Sequence, residues 1–358
     1  MKDTRYPGSL MPKPRNAKRQ TSKRSGAGLR IAIPILVIAL AMGVGLFSLP
    51  LALKVDLQVA QVTEPQLKTF PVTVDPSRKT ITEDPQVEAL LKLPPTRLPA
   101  AVGTVDTLFR LIALKVSQLP AYQQLAGAAG IHSLFVNISP GERQEQVAQS
   151  FGSELGWTAK QRAQFVAEAK SLEPDLPDGS TVPGIYFASV SDPADVAAIV
   201  HDRFSQEILS RYGTTTSDQV SLEDAVTIAS LLQRESGGWD DMRLISGVIW
   251  NRQFKGMKLQ IDATLQYAEA TQSKGAGGWW PSVEPKDKYI KSLYNTYQNA
   301  GLPPGPIANP SVAAILAALN PKKTDCIFYF HDKNGNFHCT KTYAEHVALL
   351  KKYYGQGK

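Results

Sequence analysis

Two cysteines and five histidines are all that 358 residues offer a soft metal. There is no phosphate loop, no dinucleotide fingerprint and no cluster at metal-ligand spacing, so neither cofactor nor metal is expected. Acids are missing from the start of the chain: residues 1–30 hold nine Lys/Arg against one acid, Asp3. That tail is +8 of a total of +7, which leaves −1 for the remaining 328 residues. A body so close to neutral removes the main support for nucleic-acid binding. From Ile31 to Leu53 there is no charge at all, 23 residues in a row. As a helix the run would reach ~34 Å at ~1.5 Å per residue, enough for a hydrocarbon core of ~30 Å. It exceeds the ~7–15 residues of a signal-peptide core, and no small-residue cleavage site follows. The expectation is one transmembrane helix with the basic N-terminus in the cytoplasm and everything after Lys54 outside the cytoplasmic membrane.

There a disulfide is chemically permitted, but spacing argues against one. Cys326 and Cys339 flank a hairpin whose Asn334-Gly335 reads as a two-residue turn. That register pairs His331 with His338 and Phe330 with Cys339. Cys326 would then lie roughly 13 Å along the strand from the partner of Cys339, beyond the ~7 Å that a bridge spans. It also sets both histidines on one face and both cysteines on the other, against a shared metal.

The pattern predicts an α+β chain: a single N-terminal transmembrane helix, a small α+β subdomain and a mainly helical final domain ending in a β-hairpin. The boundaries read as a basic cytoplasmic tail (1–30), the membrane helix (31–53), a connector with a hydrophobic helix at Val105–Leu125 (54–130), the small subdomain (131–212) and the final domain (213–358). Within the connector, 55–103 is rich in Pro, Thr and Val and reads as extended and partly ordered. Strand, helix, helix and strand across 133–187 is the order of a LysM-type carbohydrate-binding module, a pattern that many small α+β units share.

Ser221 and Asp224 resemble a capping box ahead of an apolar helix. Ala225, Ile228, Ala229, Leu231 and Leu232 set its buried face, and Gly237-Gly238 should end it. Glu235 therefore leaves the last turn on the inner side. Burial and the negative end of the helix both disfavour its ionised form. A carboxyl kept protonated near neutral pH can serve as the acid of glycosidic-bond cleavage. The alternative is a solvated glutamate at a frayed helix end, paired with Arg234 or Arg243. Asp240 and Asp241 read as caps of the next helix. Asp262, beside Gln260, is the better candidate for an inward polar role, and no second catalytic carboxylate is clearly marked.

From about Ala225 to Lys352 the chain closely resembles the endolytic murein transglycosylases, the membrane-anchored MltG/YceG-like family of bacteria. The resemblance rests on Ala229-Ser230 with Glu235, on Val248–Arg252, on Gly256–Asp262, on Tyr294–Tyr297, on Gly301–Pro306, on Asn309-Pro310 and on Thr342–His346. The region 133–210 matches that family's LysM-like subdomain more loosely. The resemblance implies cleavage of the MurNAc–GlcNAc β-1,4 bond in nascent peptidoglycan strands, with 1,6-anhydro-MurNAc ends and Glu235 as general acid and base. It implies a cleft lined by Gln260, Asp262, Asn295, Thr296, Tyr297 and Asn309. Glycan strands, the membrane and peptidoglycan synthases are the partners it suggests. Two further outcomes stay open: a muramidase giving reducing ends, and a catalytically idle, membrane-tethered glycan-binding scaffold. Asp262-Ala-Thr264 replaces the family's usual Asp-Pro-Thr. Phe337-His-Cys339 stands where the family has His-x-Phe, so no hairpin histidine is carried over.

Overall fold

The computed structural model describes residues 69–92, 104–122, 134–188 and 190–355, with residues 45, 48–52 and 124 besides. The chain divides into two compact units, Met1–Ser48 and Leu49–Lys358. Of the first, only Gly45 and Ser48 are described. The expected membrane helix lies largely outside the described residues, and among those no helix is long and apolar enough to cross a membrane.

In the second unit, part of the stretch expected as an extended connector is folded. Strands β1 (Val74–Asp75) and β2 (Thr80–Ile81) form a small hairpin, followed by helix α1 (Pro85–Lys92). Phe70, Val74, Ile81 and Leu91 are buried in the main core. Glu88 on α1 locks this segment down, with its carboxylate on the guanidinium of Arg243 and 2.5 Å from Lys322 Nζ. The Arg243 guanidinium holds the Glu88 carboxyl down at about 2, against burial. Pattern reading failed here because the segment is too short for a period; burial on a distant partner orders it.

Helix α2 (Thr104–Ser117) covers one face of a two-stranded sheet, with Ala113 and Leu114 against Phe135 and, beside it, Phe187. The sheet pairs β3 (Leu134–Ile138) with β4 (Gly184–Ala188), antiparallel, Val136 opposite Tyr186. Between its strands run α3 (Gln144–Leu155) and α4 (Ala159–Leu172), so the predicted strand–helix–helix–strand order is present. Thr158 caps α4 by accepting from the Gln161 N–H, as a hydroxyl before a helix should. Phe151, Trp157, Phe165 and Tyr186 fill this unit's own core. Helix α5 (Pro193–Glu207) packs along α4, and a short helix α6 (Thr214–Ser217) leads on to the last unit.

That unit is built on α7 (Leu222–Glu235), α8 (Trp239–Phe254), α9 (Asp262–Gln272) and α10 (Val312–Leu319). Ser221 Oγ accepts from the Asp224 N–H, 3.0 Å, and starts α7 where the sequence places it. Residues 225–232 of α7 are all buried, packed on α8 and α10. Helix α9 had no sequence expectation; it starts at Asp262 and buries Ala263, Leu265 and Ala268. Strands β5 (Phe328–His331) and β6 (Phe337–Thr340) form the terminal hairpin, closed by α11 (Tyr343–Tyr354).

The hairpin register differs by one residue from the two-residue-turn expectation. Tyr329 faces Cys339, Phe330 faces His338 and His331 faces Phe337. Asp332 causes the shift: its Oδ1 accepts the N–H groups of Asn334 and Asn336, its Oδ2 takes Asn336 Nδ2, and its own N–H donates to the Asn336 carbonyl. Five residues, 332–336, thus make the loop instead of two. One residue of slip inverts the faces.

The expectation on the cysteines is overturned as well: Cys326 and Cys339 form a disulfide, with Cα atoms 5.7 Å apart. The strand pairing begins only at Phe328, and the chain before it curls. Asn251 Nδ2 holds the carbonyls of Thr324 and Cys326, and the Cys326 N–H bonds Thr324 Oγ1. Cys326 turns back over β6 rather than continuing the strand.

Candidate active site

Glu235 is the last residue of α7; the next N–H, of Ser236, closes the helix on the Leu232 carbonyl. The helix is held to its end, so the glutamate is not on a frayed terminus. Neither arginine pairs with it as the alternative supposed. Arg243 is committed to Glu88 and the Asn320 carbonyl, and the Arg234 guanidinium lies 3.8 Å over the Trp280 ring.

From the hairpin, Tyr329 donates its hydroxyl to Glu235 Oε2 at 2.9 Å. From α9, the Ala263 N–H reaches the same carboxyl. Burial pushes the Glu235 pKa above the usual carboxylate range, the Tyr329 hydrogen bond opposes this, and the negative charge of Asp262 adds to the rise. Burial and the neighbouring Glu235 likewise raise the Tyr329 phenol, keeping it a donor.

Asp262 opens α9 and is exposed; its Oδ1 accepts from the Tyr297 hydroxyl at 2.5 Å. Gln260, also exposed, sits in the left-handed region at φ +53°, its N–H on the Thr296 carbonyl. Tyr297 is half-buried and its phenol is raised by burial and by Asp262. Asp262 and Tyr297 stand beside the acid, with Gln260 two residues before Asp262.

The other three predicted lining residues do not. Asn295 is fully buried: Nδ2 bonds the Lys288 and Ile290 carbonyls and Oδ1 the Tyr297 N–H. Thr296 is buried as well, with Oγ1 accepting the Ile261 N–H at 3.0 Å and meeting Thr264 Oγ1 at 2.9 Å. Asn309 lies in a different place. Its Oδ1 accepts the Gly179 and Thr181 N–H groups, and its Nδ2 donates to the Glu142 carbonyl, joining the β3–β4 unit to the helical one. Gly179 must be glycine here: φ is +143° and a Cβ would sit 2.7 Å from Val226. Polar motifs look alike in sequence, whether they brace a backbone or face a cleft.

Sequence reasoning missed three groups that sit at the site. Tyr329 could be found only with the right hairpin register. His331, on the same face of β5, has Nε2 3.2 Å from Asp241 Oδ2 and lies close enough to Glu235 to favour its charged form. A hairpin histidine is therefore present after all. It faces Phe337 across the ladder, on the strand opposite the one where the resemblance sought it. His338 turns the other way, to Asp332, so the two histidines do not share a face. Arg252 anchors the hairpin: its Nε bonds the Ile327 carbonyl at 2.6 Å, and its Nη1 the Leu259 carbonyl before α9. One side chain thereby fixes both walls around Glu235. Asp241, expected as a helix cap, is in the first turn of α8 and points its carboxylate at His331.

A half-buried carboxyl raised above its ordinary range, one oxygen held by a phenol, with an exposed carboxylate beside it, can give and take a proton next to a bound chain. The sequence model of the YceG-like family matches residues 112–352. This chain belongs to the YceG-like family. It is 29% identical over 252 residues to an endolytic murein transglycosylase of Bacillus subtilis, covering 64% of this chain and 68% of that one. A Streptococcus pneumoniae endolytic murein transglycosylase is 28% identical over 183 residues, 48% of this chain; the aligned part spans 32% of that longer relative. A crystal structure of a yceG-like protein of Listeria monocytogenes aligns with a TM-score of 0.53 at 24% identity, covering 70% of this chain and 82% of that one. The arrangement of helices and small sheets is thus a YceG-like α+β fold.

Proposed function

We propose that this protein is a peptidoglycan lytic transglycosylase that cuts the MurNAc–GlcNAc β-1,4 bond through Glu235. The observation that carries the reading is the carboxyl of Glu235 at the end of α7, half-buried and held by Tyr329. The family and the names of its relatives supply the substrate class. Glu235 donates its proton to the glycosidic oxygen, the C1–O bond breaks, and an oxocarbenium-like centre develops at C1. The Glu235 carboxylate then takes the proton of the C6 hydroxyl. That oxygen closes on C1 to give the 1,6-anhydro ring, and Glu235 is ready again without consuming water. Asp262, exposed and held by the Tyr297 hydroxyl, faces the positive centre, while Gln260 offers its amide to the sugar.

The β3–β4 unit is read as LysM-like. The charge-free run Ile31–Leu53 is read as a single membrane anchor with the N-terminus in the cytoplasm, which sets the enzyme beside newly made strands and their synthases. The Cys326–Cys339 bond suits an oxidising, extracytoplasmic compartment.

The test is mass spectrometry of fragments released from uncrosslinked peptidoglycan by the native protein and by E235Q. Anhydro ends from the native protein alone are expected. Reducing ends would make it a hydrolase, and binding without cleavage by the native protein would make it a scaffold.

A further inference from the structure

The disulfide lies directly across the ladder from the residue that holds the acid. Cys339 is the Cα partner of Tyr329, and Tyr329 donates to Glu235 at 2.9 Å. The two strands pair over only four residues each, and a two-stranded hairpin is marginal by itself. Its two arms are held unequally. The segment entering β5 is fastened to α8 through Asn251 on the Thr324 and Cys326 carbonyls and Arg252 on the Ile327 carbonyl. The covalent bond from Cys339 to Cys326 ties β6 to that fastened segment, beside the Ile327 N–H on the Thr340 carbonyl. Phe337, also on β6, backs the site face, with its ring 5.9 Å from Tyr329 and 5.6 Å from His331.

We infer that the Cys326–Cys339 disulfide is a positioning device for the acid, holding β6 against the stretch of β5 from which Tyr329 reaches Glu235, so that reduction of this bond lowers turnover. The inference rests on the proposed role of Glu235. Reduction by a dithiol is balanced: two electrons and two protons pass to the cysteine sulfurs, which become thiols, and the dithiol closes to its own cyclic disulfide. A freed β6 can lift from β5 at its Cys339 end, and the stretch of β5 that carries Tyr329 loses the strand that backs it. Tyr329 is then no longer fixed on Glu235.

The groups facing Glu235 set the sign of the accompanying pH effect. They are Tyr329 and His331 on β5, Asp262 and the Ala263 N–H on α9, Tyr297 and the adjacent Arg234, with Arg252 and Asp241 of α8 behind them on Tyr329 and His331. Of these, the Tyr329 bond is the largest influence favouring the carboxylate. Its loss lets Glu235 stay protonated to higher pH, so the basic limb of the kcat profile moves up.

The experiment uses the full chain on uncrosslinked glycan strands, oxidised and after dithiothreitol, with alkylation and mass spectrometry to certify that the bond has opened. Reduction is expected to lower kcat roughly tenfold to a hundredfold, the effect of misplacing a catalytic group by about 1 Å, with KM little changed. The basic limb of the pH profile should rise at the same time. Y329F, with its disulfide intact, should show the same limb shift. Treating folded native protein avoids any failure of a cysteine variant to fold. Unchanged kcat and an unmoved limb after verified opening would overturn the inference. Full activity in E235Q would instead overturn the reading it stands on.

Discussion

Two polar regions of this protein use the same residue types to opposite ends. At the seam between the β3–β4 unit and α7, Asn309 and Asp178 are fully buried and nearly saturated with hydrogen bonds. Asn309 spends its side chain on three backbone groups, and Asp178 accepts from the Gln144 N–H and the Tyr267 hydroxyl. Around Glu235 the carboxyls are half-buried or exposed. Glu235 has one side-chain donor and Asp262 has one. A saturated polar group holds the chain together and has nothing left for a ligand. A partly satisfied one at an open edge can still bond a substrate.

The sharpest way to break this contrast is E235Q. Loss of an acid and base should lower glycan cleavage by roughly a thousandfold. The folded protein should melt no lower than the native, because the amide removes a buried charge. Equal cleavage by E235Q, read from released fragments, would erase the distinction between the two regions. For the native enzyme, cleavage should fall as pH rises through the raised pKa of Glu235, since the working acid is the protonated form.

N309A attacks the other side. Three backbone groups lose their partner in a dry seam, which should cost about 2–4 kcal/mol in denaturant unfolding. Below its melting temperature the variant should retain most of its cleavage. A large kcat loss without loss of stability would move Asn309 into the cleft.

Asp178 tests the seam through pH. Burial and the neighbouring Glu145 charge push its carboxyl up to about 6 from 3.8. The folded protein then keeps a proton that the unfolded chain releases. This group's contribution is full below about pH 4 and falls as pH rises towards about 6. D178N keeps the oxygen that accepts from Gln144, so it should flatten that part of the stability curve by on the order of 2 kcal/mol. Matching native and D178N curves would refute the assignment.

The smallest effect is expected from Y297F, which removes one donor from the exposed Asp262. It should lower kcat/KM about fivefold to tenfold, the worth of one hydrogen bond of about 1 kcal/mol, with stability unchanged. A drop in melting temperature instead would place Tyr297 with Asn295 and Thr296 among the braces.

How much could be read beforehand varied with the range of the interactions involved. Ser221, the apolar spacing of α7 and Gly237-Gly238 are local signals, and they correctly put Glu235 on the inner side of a helix end. Ser311 before α10 and Thr342 before α11 work in the same way, each hydroxyl bonding an N–H three residues on. Asn334-Gly335 was also local, yet misleading. Asp332, two residues before it, binds the loop backbone and widens the turn, which reversed the faces of β5 and hid Tyr329 and His331. Asn295 and Asn309 sit in motifs as polar as those around Gln260 and Asp262, and spacing cannot separate a brace from a ligand group.

The sequence by itself determined α7, its Ser221 cap and the placing of one acid on an apolar stripe, because these depend on neighbours within four residues. The tertiary structure alone decided which polar groups meet that acid. Tyr329 lies 94 residues from Glu235, His331 lies 90 from Asp241, and Tyr297 lies 35 from Asp262. Such contacts depend on strand register and on the packing of α7, α8 and α9 against one another, and a one-residue change in a loop is enough to move them.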